Sequence, residues 1–139
     1  MKIMLRIASL VALIQFAAHT GLLLSYVPSH GPDEVRVVSM MKSHRFDFGG
    51  SRPHHYWEMY IGYGLFAAIN CLIEAILFWQ LSRSPNTPII ALFLFANLTY
   101  AALVWRYFFF IPLVMDVLIA LCLASALAVS RAHMAVARR

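Results

Sequence analysis

Four long apolar runs constrain this chain more than anything else in it: about Ile3 to Val27, Tyr56 to Leu81, Pro88 to Phe110, and Pro112 to Ser130. Each supplies the roughly 20 helical residues needed to cross a hydrocarbon core about 30 Å thick. A bilayer admits only elements that satisfy their backbone hydrogen bonds internally, and runs of this length do so as helices. The expected fold is therefore all-α, a polytopic membrane protein of one domain spanning 1–139, built as a four-helix up-down bundle. Of the 139 residues 62% are hydrophobic and 12% charged, whereas a soluble domain carries about 25% charged residues. A disordered chain, a disulfide scaffold and a water-soluble enzyme are excluded.

The first run follows Met1-Lys2 and also fits a secretory signal, but it is long for one, and Ala17-Ala18-His19 makes a poor cleavage site. It is read as a retained helix. The polar segment Pro28 to His55 is expected to be a long external loop capping the bundle. The Ser84-Pro85-Asn86-Thr87-Pro88 turn is short, and Pro88 and Pro112 suit first helical turns. Short connections make the last three helices antiparallel neighbours. Lys2, Arg6, Arg83, Arg131, Arg138 and Arg139 then share one side, which the positive-inside rule makes the cytoplasm. The expected location is a bacterial inner membrane with both termini cytoplasmic. The net charge of +5 speaks of topology and not of nucleic acid. Cys71 and Cys122 sit in apolar runs without a Cys-x-x-Cys pair and read as small buried hydrophobes.

Polar residues inside the runs carry the functional signal, because an ionisable group in a span costs a few kcal/mol and faces a bundle interior or a wet cavity. In the second run Tyr56, Tyr60, Tyr63, Asn70 and Glu74 fall within an arc of about 80° at 100° per residue. Gln15, His19 and Tyr26 form a similar stripe in the first run, and Asn97, Tyr100 and Tyr107 in the third, with Asp116 in the fourth. Converging stripes would enclose a polar pocket. Asn70 and Asn97, at similar depth, can bond one another, and Arg106 and Asp116 straddle a tight turn where they can pair. Glu74 has no cationic residue at its own depth. A carboxylic acid kept neutral in apolar surroundings is equipped to act as a general acid. Counting along helices puts Glu74 and Asp116 about 15 Å apart in depth, an objection to their acting together.

Outside the membrane His44, Asp47, His54 and Glu58 gather near the start of the second helix. His54 and Glu58, four residues apart, have a spacing that can hold zinc. The set matches no strict ligand motif, and a solvated capping loop is the simpler reading. No cofactor is implied.

Phe46-Asp47-Phe48-Gly49, followed by Tyr56-Trp57, Tyr60, Gly62 and Gly64, resembles a signature of small, uncharacterised bacterial four-span membrane proteins. That resemblance covers about a quarter of the chain and implies a membrane bundle with no assigned activity. In architecture alone the chain is similar to membrane sterol isomerases, which move protons on lipophilic rings inside a bundle. The small multidrug transporters also carry one buried glutamate, but in their first helix.

The reading that results is an integral membrane enzyme or binding protein for a lipophilic small molecule, working by acid-base chemistry of the isomerase, cyclase or epoxide-opening type. Glu74 and Asp116 are the proton donor and acceptor and His19 a relay, while Tyr60, Tyr63, Asn70, Asn97, Tyr100 and Arg106 orient the ligand. One alternative is a proton-coupled transporter, a homodimer, in which Glu74 exchanges a proton for a substrate. Another is a non-catalytic partner of a second membrane protein.

Overall fold

The computed structural model describes residues 1–47, 49 and 52–137. Phe48 and Gly50 of the capping segment and Arg138 and Arg139 of the basic set lie outside the described residues.

Four helices are long and apolar enough to cross a membrane: α1 (Lys2–Leu24), α3 (Tyr56–Arg83), α4 (Thr87–Tyr107) and α5 (Phe110–Ala137). This is the architecture of a multi-pass membrane protein. Helix α1 stops at Leu24, short of Val27, where the Ser25 hydroxyl turns back onto the Gly21 carbonyl at 2.6 Å and Pro28 bars another turn. Asn86 caps α4, its side chain accepting from the Ile89 N–H at 3.2 Å, and Pro88 occupies the first turn, where its missing N–H costs nothing. Only Phe108 and Phe109 separate α4 from α5.

The segment between the first two membrane helices is more ordered than a loop. It holds a 12-residue helix, α2 (Pro32–Ser43), and a short antiparallel pair, β1 (Arg45–Phe46) with β2 (His54–His55). Gly31, at φ 103°, provides the left-handed turn into α2 that other residues avoid. Asp33 and Glu34 in its first turn complement the helix dipole.

The chain divides into two compact units, Met1–Phe16 with Asn70–Arg139, and Ala17–Ile69. The first holds the main core, in which Leu5 of α1, Phe78 of α3, Ile90 of α4, and Ile119 and Leu123 of α5 are fully buried. Small residues Ala8, Ser9, Ala12 and Ala75 are buried with them. They let α1 approach α3 until the Ser9 hydroxyl donates to the Ala75 carbonyl at 2.6 Å. In lipid, helix association rests on such close packing and interhelical hydrogen bonds, because leaving the acyl chains yields no hydrophobic gain. The opposite faces carry exposed Ile73, Phe95, Leu121 and Trp105, as a lipid-facing surface requires.

In the second unit Leu23 and Ala68 are buried, and Gly64 makes room for Leu23. A Cβ at Gly64 would lie 2.6 Å from Leu23 Cδ2, so the bare glycine is what lets these turns of α1 and α3 meet. Helix α2 contributes one buried residue, Val38.

Candidate functional site

The first unit gathers buried polar side chains from all four membrane helices. Glu74 on α3 is 7% exposed, Asn97 on α4 is 0% and Asp116 on α5 is 4%. Their placement follows from helical spacing. Asn97 shares a buried stripe of α4 with Ile90 and Ala101, and Asp116 lies one turn before buried Ile119 and Ala120. Each acid therefore projects where its helix packs, not where it meets lipid.

Both carboxyls are met by carboxamides. Asn97 Nδ2 donates to Glu74 Oε1 at 3.2 Å and to the Phe93 carbonyl at 3.0 Å. Those two bonds fix the amide orientation and leave Asn97 Oδ1 buried without a hydrogen-bond partner among the described residues. Gln15 Nε2 of α1 donates to Asp116 Oδ1 at 3.0 Å. Among the described residues neither acid forms an ion pair. Acids that make no ion pair among the described residues, each held by a neutral donor, can bind or release protons.

Several pairings differ from those expected. Asn97 bonds Glu74 and not Asn70, which is half-buried and makes no side-chain hydrogen bond among the described residues. Arg106 does not pair with Asp116; its guanidinium lies 5.2 Å from the centre of the Tyr107 ring, as expected of a cation at the headgroup level.

His19, Tyr60 and Tyr63 belong to the second unit. His19 Nε2 stands 3.1 Å from the Gly64 carbonyl. A carbonyl only accepts, so Nε2 carries the hydrogen. Tyr60 stacks on Trp57 with ring centres 5.3 Å apart. Tyr63 is 70% exposed, because α3 meets α1 through neighbouring Gly64. In the first unit, Tyr100 is 43% exposed.

Of the external residues, His54 Nδ1 and Glu58 Oε2 come within 3.3 Å, and Glu58 also accepts from the His55 N–H at 3.0 Å. His44 instead stacks on Tyr56, and Asp47 accepts from the Gly49 N–H at 2.7 Å. Among the described residues no group of three His, Cys, Asp or Glu side chains is placed to hold a metal ion.

Gln15 joins the site as the donor to Asp116; its signal in the sequence is that of a lone amide in an apolar run.

No family model, curated protein or solved structure matches the chain.

Proposed function

We propose that the chain is a bacterial inner-membrane protein that binds a lipophilic small molecule within its bundle and acts on it by proton transfer, with Glu74 and Asp116 as the acid-base pair. The observation that carries this reading is that two buried carboxyls, Glu74 and Asp116, are each held by a carboxamide from another helix, Asn97 and Gln15. A fixed neutral donor orients a carboxyl without neutralising it, so the acid stays able to give up or take a proton as a ligand arrives. The buried, unpartnered Asn97 Oδ1 adds an acceptor for a hydroxyl or amine on that ligand. The bundle is up-down with both termini in the cytoplasm, a topology supported by the basic residues Lys2, Arg6 and Arg83. The Phe46-Asp47-Phe48-Gly49 and Tyr56-Trp57 signature supports membership of the bacterial four-span group.

The test is mass spectrometry of lipophilic molecules copurifying with wild-type and Glu74→Gln protein. The wild type should carry a product or a mixture, and the variant should accumulate the unconverted molecule. Identical profiles from two equally folded proteins would refute the chemistry. That neither acid forms an ion pair among the described residues also suits proton-coupled transport by a homodimer. Substrate-driven proton release from proteoliposomes, lost in Glu74→Gln, would favour that reading over catalysis.

A further inference from the structure

The second unit contains a cleft of about 400 Å³, within the size range of small-molecule sites. Tyr26, Trp57 and Tyr60 form one wall, Val38 and Met41 add apolar surface, and Glu34 supplies a carboxylate. The wall is continuous: Tyr26 and Trp57 ring centres are 5.6 Å apart, and Trp57 and Tyr60 5.3 Å.

Glu34 is a fixed negative charge. The Tyr26 hydroxyl donates to one of its oxygens, and the backbone N–H groups of Ser29 and His30 donate to the other at 2.6 Å each. Led by the Tyr26 bond, these donors bring its pKa down to about 2, so it stays charged throughout the physiological range. The aromatic wall already attracts positive charge, since the Lys42 ammonium rests 4.7 Å from the centre of the Trp57 ring. An anion would be repelled by Glu34. A hydrated divalent ion would find two carboxylates, Asp33 and Glu34, and among the described residues no group of three ligand side chains to replace its water. An ammonium group matches both the rings and the carboxylate, and an apolar substituent matches Val38 and Met41.

We propose that this cleft binds an ammonium cation carried on an apolar group, with the cation against the Trp57 and Tyr60 rings beside Glu34. The ammonium comes either from a lipid headgroup or from a soluble amphiphilic amine. The proposal does not depend on Glu74 or Asp116.

The probe is benzyltrimethylammonium, titrated calorimetrically into the full chain in maltoside micelles. Saturable binding is expected, with the neutral isostere neopentylbenzene at least about tenfold weaker. Trp57→Leu and Glu34→Gln should each weaken the cation by about tenfold. Lys42→Met should strengthen it a few fold by removing a like charge. Unaltered thermal unfolding of Trp57→Leu or Tyr60→Leu keeps loss of binding distinct from loss of fold. Added phosphatidylethanolamine, but not phosphatidylglycerol, should displace the probe if the ligand is a headgroup; no displacement assigns the cleft to a soluble amine. Absence of saturable binding to the wild type, equal affinity for the isostere, or wild-type affinity in folded Trp57→Leu and Glu34→Gln would overturn the proposal.

Discussion

In the second unit Glu34 accepts from a tyrosine hydroxyl and two backbone N–H groups, with the His30 ring 3.2 Å away. In the first unit Glu74 receives one side-chain hydrogen bond, from Asn97, and is 7% exposed. The same side chain is thus used in two ways. Where donors saturate it, as at Glu34, the carboxylate is committed to its charge and staples the chain leaving α1 to the start of α2. Where one neutral donor orients it, as at Glu74, the carboxyl keeps capacity for a proton. Donor count and burial together separate the structural acid from the candidate for chemistry.

The contrast extends to what holds each unit together, and the largest expected effect tests that. Phe78→Ala removes a fully buried ring from the first core and should cost about 3 kcal/mol. Val38→Ala in α2 should cost about 1 kcal/mol. Equal losses in thermal unfolding of the reconstituted protein would break the distinction between a packed first unit and a polar, stapled second one.

Asn97→Leu comes next. It removes both the bond to Glu74 and the bond to the Phe93 carbonyl, and should cost about 1 to 2 kcal/mol. Glu74→Gln preserves an acceptor for Asn97 and should leave unfolding nearly unchanged while abolishing the proposed proton transfer. A large stability loss in Glu74→Gln would move Glu74 into the structural class with Glu34. Gly64→Ala forces the Leu23 side chain to move, for a cost of about 1 kcal/mol, readable as a small fall in unfolding temperature.

The smallest effect is the pH response of Glu34. Its pKa lies at about 2 against an ordinary 4.5, so its contribution is complete above the ordinary value and fades as pH falls toward the lower one. Tyr26, pushed up to about 12 by the same hydrogen bond, loses its part only as pH rises from 10 to about 12. The staple should therefore hold unchanged between about pH 5 and pH 10. The carboxyl ¹³C shift of Glu34 should titrate near the lower value; a midpoint near the ordinary one would remove the staple.

The four spans were legible because nothing but a membrane helix explains apolar runs of that length. Glu74, Asn97 and Asp116 were legible because a polar group in such a run must turn inward. Their partners were not. Gln15 and Asp116 are 101 residues apart in sequence, and only tertiary packing decides which amide meets which acid. The tyrosine stripe of α3 was misleading at Tyr63, because Gly64 and Ala68, lacking bulk, set the packed face. Helix α2 was missed because its 12 residues are too polar to show an apolar period, although Gly31-Pro32-Asp33-Glu34 is a sound helix start.

The central claim is that carboxyls and carboxamides from separate membrane helices face one interior. Solid-state NMR on protein in bilayers can measure it directly, through ¹³C–¹⁵N dipolar transfer from the Glu74 carboxyl carbon to Asn97 Nδ2 and from the Asp116 carboxyl carbon to Gln15 Nε2. The account predicts transfer at hydrogen-bonded distance, about 4 Å or less, for both pairs. Absence of transfer in both, with the Glu74 carboxyl in contact with lipid acyl chains instead, would contradict it.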